Sequence, residues 1–477
     1  MAAIRKLSTT ALIVGLAMAI GGASRIYKIA DRSVVHDEVQ APGTSPLADF
    51  AAPGQQFDLA QVVSGDLFYR TQPPGYPLLI LGVTRFFGTS LIAIRLLSVL
   101  FGVASIGTVY WLSVLIGQRI PGCIAALLVA FNGYLVACSQ AAGTDSLVCF
   151  LSLFATVLLL WLSRETRRRR LLESCYGAVL LLGLASHHFF WALLVTQMVW
   201  VVANSWVQER SMPRLFNIQI VVTILGSPLV AIARLQSLNQ VVDVSTNIAL
   251  LAREYVQFFC ILPGYDGVSW GNSIADHFSA ILVLALRVLL CLFCLWLLVV
   301  GLRRLNPVDD PTLSVRAKPF IGLWILATML ATLADVGLIF ATRHQIAHSP
   351  GPWVQTIDGV EVLAILPSIL FMGAVTLVES WQPMRVPGKK LHPHLLAGGQ
   401  RLILLQAFLP FTMLAAASLF LRLPLDPSGL IFVAPYLLFT LACGVAAVGR
   451  RSRPLAIALV LVLATLHACS LWVYTGR

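Results

Sequence analysis

Charge is scarce in this chain, and acid scarcest. Only 11% of the 477 residues are charged, 21 of them Asp or Glu against 33 Lys or Arg, whereas a soluble domain keeps about a quarter of its residues charged. With 58% hydrophobic residues and a mean hydropathy of +0.85, the apolar surface cannot be hidden in one aqueous core, which excludes a soluble globule or a disordered chain. Period-two alternation is missing from the apolar runs, which excludes a membrane β-barrel. The nine cysteines sit mostly inside apolar runs, at Cys123, Cys149, Cys291, Cys294 and Cys443, and imply no disulfide framework. Cys291 and Cys294 have CxxC spacing but neither a second pair nor a nearby His, so no zinc site is indicated. No Asn-x-Ser/Thr sequon occurs, which leans toward a bacterial plasma membrane and away from a eukaryotic secretory one.

What is present is one long apolar run after another. Backbone groups in hydrocarbon must be satisfied within the segment, so the runs are read as helices and the fold as an all-α polytopic membrane protein. A window of about twenty residues finds about thirteen spans. The first covers residues 9–23, a retained anchor with a basic start at Arg5 and Lys6. Later ones begin near Ser90, Ile120, Asp145, Ser174, Phe190, Leu215, His277, Pro319, Gly359, Arg401, Gly429 and Pro454. The net charge of +12 resides in short loops between spans rather than on a basic-aromatic surface, so no nucleic-acid partner is expected. With a cytoplasmic N-terminus, the basic loops at residues 118–119, 164–170, 209–214, 303–318, 385–401 and 450–453 all face the cytoplasm.

The opposite loops hold the interesting polar groups. The first, residues 25–89, carries His36-Asp37-Glu38 and then Gln72-Pro73-Pro74-Gly75-Tyr76. Parity holds if residues 74–88 lie at the interface rather than crossing, and residues 48–70 read as a second interfacial helix in the same loop. The second outer loop, residues 138–145, ends on Asp145. These belong to an N-terminal half, residues 1–170. Residues 171–477 supply further spans with outer loops 235–276 and 343–358, and no separate soluble domain is expected.

The succession of Asp37-Glu38, the run QPPGYPLLILGVTRFFGTSLIAIRLLSVLFG from Gln72, and AALLVAFNGYLVACSQAAGTDSL up to Leu147 resembles the N-terminal half of the GT-C glycosyltransferases, particularly the protein O-mannosyltransferase and lipid A aminoarabinose transferase group. Those enzymes carry Asp-Glu in the first loop, a His/Lys-Pro-Pro segment on an interfacial helix, an Arg-Leu pair opening the next span and an Ala-Arg-x-x-Asp-like motif after the third. The corresponding positions are Asp37-Glu38, Pro73-Pro74, Arg95-Leu96 and residues 142–145. Gln72 stands where His or Lys is usual, Gly143-Thr144 where an Arg is common, and Arg343-His344 matches the late Arg-Tyr motif at best.

The resemblance implies transfer of a sugar from a polyprenyl-phosphate donor to an acceptor on the outer face, by inverting single displacement. Such chemistry needs one base and several cations. Asp37, beside apolar helices, suits the general base, and Glu38 a supporting role in orienting the acceptor or a cation. For the departing phosphate the candidates are Arg70, Arg95, Arg234, Arg253 and Arg343, since a planar guanidinium grips phosphate in two places and stays charged; snorkelling is the competing reading for each. Gln72, Pro73, Pro74 and Tyr76 complete the donor-binding segment. Asp145 is equally well a helix N-terminal carboxylate, and His187 and His188 ordinary interfacial groups. Residues 255–270 could cover the acceptor. A divalent cation is possible through Asp145, but a single acid makes a weak site, so no metal is required. The acceptor could be protein Ser or Thr, a glycolipid, an envelope polymer or lipid A. The alternative is a lipid-linked sugar flippase or other secondary transporter, for which the mid-span candidates are only Arg287 and Asp335.

Overall fold

The structure, a computed structural model, describes residues 2–30, 73, 75–87, 91–164, 169–205, 212–237, 293–294, 296–301, 391–421 and 427–475. Among these, every regular element is helical. In chain order they are α1 (Ala2–Ile26), α2 (Gly75–Phe87), α3 (Leu91–Leu115), α4 (Arg119–Phe131), α5 (Gly133–Gln140), α6 (Asp145–Leu162), α7 (Arg169–Ser186), α8 (Phe190–Ser205), α9 (Met212–Ser237), α10 (Leu391–Leu421), α11 (Ala434–Arg451) and α12 (Arg453–Thr475). A 3₁₀ helix, Pro427–Val433, leads into α11.

Among the described residues four helices are long and apolar enough to cross a membrane, or five if the bent pair α4 and α5 is one span. The spans expected from Pro319 and Gly359, most of the one expected from His277, whose residues 293–294 and 296–301 are helical, the interfacial helix at residues 48–70 and the outer loop at 343–358 lie outside the described residues. The span expected from Ile120 is not continuous. It breaks at Asn132, where α5 turns 55° away from α4. Asn132 both ends one helix and starts the next: its N–H donates to the Leu128 carbonyl at 2.9 Å, and its side-chain oxygen accepts from the Leu135 N–H at 3.0 Å, the N-cap role in which Asn excels. Because α5 runs on to Gln140, the second outer loop narrows to residues 141–144.

Helix directions follow from their contacts. Phe101 stacks on Phe150 at 5.7 Å and Trp111 meets Trp161 edge-on at 5.5 Å, so α3 and α6 run the same way. Tyr110 donates to Thr10 at 2.9 Å while Gly102 meets Arg25, so α1 runs against α3. Arg119, Arg164, Arg169, Arg214, Arg401 and Arg450 accordingly share one end of the bundle, hereafter the basic end. The α1 C-terminus, the α2 and α3 N-termini, the 141–144 loop and the α7 C-terminus share the other. Leu12, Leu16 and Ile20 on α1, Val221, Ile224 and Leu225 on α9, and Leu455, Ile457 and Leu461 on α12 are exposed apolar side chains, the surface a lipid-embedded bundle presents.

Helices that already share an apolar solvent gain little from burial alone, so close packing and interhelical hydrogen bonds must hold the bundle together. One buried polar chain crosses five helices. Gln219 of α9 donates to the Tyr176 hydroxyl of α7 at 2.8 Å, Tyr176 donates to Gln197 of α8 at 2.7 Å, and Gln197 donates to Thr156 of α6 at 3.2 Å. Thr156 Oγ1 lies 2.7 Å from the Tyr436 hydroxyl of α11, which also donates to the Ser152 carbonyl at 2.8 Å. Replacing Tyr436 by Phe should lower unfolding stability by about 0.5–1.5 kcal/mol, the range for an interhelical hydrogen bond in a membrane. Thermal or denaturant unfolding in detergent measures this, and an unchanged midpoint would show that the chain does not brace α6 against α11.

Candidate functional site

The polar groups at the end opposite the basic one are tied into a single cluster. It starts where α1 stops. Residues 27–30 form a turn in which Lys28 has φ 53°, a left-handed conformation that costs a non-glycine residue energy and needs surrounding contacts to hold it. Two side chains from other helices do so. Gln140, the last residue of α5, spends both amide hydrogens on the carbonyls of Ser24 and Tyr27, at 3.2 and 3.0 Å. Arg95, fully buried on the first turns of α3, donates Nη1 to the Ile29 carbonyl at 2.7 Å.

The second half of the cluster is built from the Pro-Pro-Gly-Tyr segment. Pro73 is buried, and α2 begins at Gly75. A Cβ at Gly75 would sit 2.5 Å from the Ala185 carbonyl oxygen, so only glycine lets α2 approach the α7 end this closely. Tyr76, 3% exposed, puts its hydroxyl 3.0 Å from Ser98 Oγ of α3, and that Oγ reaches the Gly143 carbonyl at 3.4 Å. The 141–144 loop is thus linked through one serine to α3 and α2. Asp145 follows as the first residue of α6, partly exposed, with Thr144 at the N-cap making no side-chain cap bond.

Beyond Gly75 lie the histidines. His187 and His188 occupy the turn between α7 and α8, their rings stacked at 4.9 Å. His187 Nδ1 accepts from the Phe189 N–H at 3.2 Å, so the neutral ring must carry its proton on Nε2. That Nε2 is buried and has no partner among the described residues. Burial pushes the His187 pKa down to about 4, so near neutrality it is an uncharged donor.

Of the site residues expected from sequence, Pro73, Tyr76, Arg95, Asp145, His187 and His188 therefore lie at this one end. Asp37, Glu38, Arg70, Gln72, Pro74, Arg253 and Arg343 lie outside the described residues, as does the Arg234 side chain. Sequence reasoning missed Gln140, Ser98 and Arg25, all at least 97% buried. Ser98 gave no signal within an apolar run, and Gln140 lay in the expected outer loop beside Asp145 without a motif to single it out. Arg25 was assigned to the outer loop because the first span was closed at Ala23, whereas α1 continues to Ile26. Among the described residues no three His, Cys, Asp or Glu come together, and Asp37 and Glu38 lie outside those residues.

Residues 71–232 match the sequence profile of the family described as dolichyl-phosphate-mannose-protein mannosyltransferase. The match takes in about a third of the chain and includes the cluster from Tyr76 to His188. Over that segment the chain resembles the GT-C membrane glycosyltransferases, as the order of its motifs suggested. No curated protein sequence matches it. Among solved structures it is similar to the Archaeoglobus fulgidus oligosaccharyltransferase in complex with zinc and sulfate, at 14% identity and TM-score 0.45, covering 97% of this chain and 52% of that one. AglB from the same organism, in complex with an inhibitory peptide and a dolichol-phosphate, gives 12% identity, TM-score 0.47 and coverage of 98% and 56%. ArnT from Cupriavidus metallidurans bound to undecaprenyl phosphate gives 15% identity, TM-score 0.35 and coverage of 93% and 78%. The chain spans about half the length of the two archaeal proteins. Scores below 0.5 are too loose to carry any residue's role across.

Gly75→Ala should destabilise the protein by about 1–3 kcal/mol, the usual cost of overpacking, because both the Cβ and the facing carbonyl belong to helix ends that cannot yield independently. Thermal unfolding in detergent reads it, and a wild-type midpoint would show that the α2–α7 contact has room to spare.

Proposed function

We propose that the protein is a membrane glycosyltransferase that moves a sugar from a polyprenyl-phosphate-linked donor to an acceptor at the outer face of the membrane. The observation that carries this reading is the coincidence of two features. The mannosyltransferase profile covers residues 71–232, and the described side chains of that segment that suit donor binding, Tyr76, Arg95, Asp145 and His187, gather at one end of the helix bundle. An integral membrane protein with its bulk in apolar helices and its chemistry at one interface suits a donor whose lipid tail stays in the bilayer.

The basic end supports a cytoplasmic N-terminus, since Arg119, Arg164, Arg214, Arg401 and Arg450 follow the distribution that sets membrane orientation. The cluster then faces outward, in a bacterial inner membrane. In the reaction, the Asp37 carboxylate takes the proton of an acceptor hydroxyl or amine, whose heteroatom attacks the anomeric carbon as the bond from that carbon to the phosphate oxygen breaks. Polyprenyl phosphate leaves as an anion, and the sugar's configuration inverts. Glu38 orients the acceptor. The leaving charge is met by guanidinium groups, with Arg70 and Arg343 the candidates beyond Arg95; preorganised donors aimed at such developing charge are ordinarily the largest catalytic contribution. Neutral His187, with Nε2–H to give, suits a sugar hydroxyl, and Gln72 and Tyr76 line the donor segment. Hexose or pentose donors, and protein, glycolipid or polymer acceptors, are all compatible with this scheme.

Purified protein in lipid vesicles, offered labelled polyprenyl-phosphate sugars with a mixed membrane acceptor, should release polyprenyl phosphate and label the acceptor. Asp37→Asn should cut transfer by at least about 10²-fold, the lower range for a general base, with insertion unchanged. Retained activity in that variant would sink the assignment of the base. Labelled lipid that changes leaflet without being consumed would replace the transferase with a flippase.

A further inference from the structure

Arg25 is a guanidinium 1% exposed near the end of a helix apolar enough to cross a membrane, and its hydrogen-bond partners among the described residues are neutral acceptors. Nη1 donates to the Gly21 carbonyl at 2.9 Å and the Ala130 carbonyl at 3.0 Å, Nη2 to the Val129 carbonyl at 3.1 Å, and Nε to Ser139 Oγ at 3.2 Å. Val129 and Ala130 belong to the last turn of α4, whose carbonyls are left open by the break at Asn132. A cation fits there twice over: it fills orphan acceptors and sits at the negative end of the helix dipole.

Ser139 carries the contact onward. Its Oγ donates to the Leu135 carbonyl at 2.6 Å, leaving two lone pairs, and these accept from Arg25 Nε and from Ser146 Oγ at 3.2 Å. Ser139 lies just before the 141–144 loop and Ser146 just after Asp145, so the Arg25–Ser139–Ser146 chain closes the base of that loop while Ser98 holds its middle through Gly143. Gly102 makes the space: a Cβ there would stand 2.9 Å from Arg25 Nε.

We propose that Arg25 is a positioning residue for the transfer reaction, fixing the 141–144 loop and Asp145 through Ser139 by capping the broken helix beneath them. The assignment rests on the glycosyltransferase reading above. Arg25, 1% exposed, acts through Ser139. Without its cap the Ser139 end of the 141–144 loop loses its tie to α4 and shifts against Tyr76 and Ser98, and a misplacement of about 1 Å at a reacting centre can cost about 10²-fold in rate.

Ser139→Ala is the discriminating variant, because it cuts the link to the loop yet leaves Arg25 on its carbonyls. In the vesicle assay it should lower kcat about tenfold with KM for the labelled polyprenyl-phosphate sugar within about twofold. A parallel measurement needs no turnover. A Cβ at Gly143 meets nothing within 4 Å, so Gly143→Cys is a tolerated reporter, and its labelling by a membrane-impermeant maleimide, taken over the background of the native cysteines, should speed up about tenfold when Ser139→Ala or Arg25→Lys is added. Unchanged labelling in both variants overturns the clamp, and so does unchanged kcat in Ser139→Ala. Wild-type protein that transfers no sugar defeats the glycosyltransferase reading alone, and faster labelling then still supports the clamp.

Discussion

A helix that breaks inside a bilayer must find partners for the backbone it releases, because the hydrocarbon offers none. The break between α4 and α5 is where this protein meets that constraint, and the Arg25 guanidinium is its answer. The freed carbonyls of Val129 and Ala130, the Gly21 carbonyl of its own helix and the Ser139 hydroxyl take its hydrogens. Everything at that end of the bundle is arranged around the result. The bend turns α5 so that Gln140 reaches the α1 turn, and Ser139 reaches Ser146 at the start of α6. A straight α4–α5 helix would send the 141–144 loop elsewhere.

Two polar networks divide the interior between them. The chain from Gln219 through Tyr176, Gln197 and Thr156 to Tyr436 joins helices along their length. It braces the bundle, as interhelical hydrogen bonds do where apolar burial discriminates little between inside and outside. The cluster at the helix ends has a different character. It holds backbone turns rather than helix faces: Gln140 and Arg95 fix the left-handed turn at Lys28, and Ser98 fixes Gly143. Rigid helices thereby deliver short loops in a set geometry, which is what a site assembled from several loops demands.

Much of the bundle was legible because its cause is one-dimensional. Apolar runs near Ser90, Asp145, Phe190 and Gly429 became α3, α6, α8 and α11 with boundaries shifted by a few residues, and the short Pro-Pro-Gly-Tyr helix was recognisable from proline's geometry. The break at Asn132 was not. A window of about twenty residues averages over one polar residue, and Phe131-Asn132-Gly133 lies within an apolar run whose mean hardly falls. Arg25 was misread for the related reason that a basic residue at the edge of a span ordinarily snorkels to water, and only a carbonyl-lined recess across the helix pair makes the buried alternative cheaper.

Sequence by itself determined that the chain is helical and apolar and that residues 71–232 carry a glycosyltransferase pattern, because composition, periodicity and motif order are properties of neighbours along the chain. Tertiary structure decided which polar residues act together. Arg25, Ser139 and Ser146 are joined by hydrogen bonds between residues as much as 114 positions apart, and Ser98 links Tyr76 to Gly143. Those pairings depend on helix direction and on one 55° bend, which arise when the released carbonyls of one helix find the guanidinium of another.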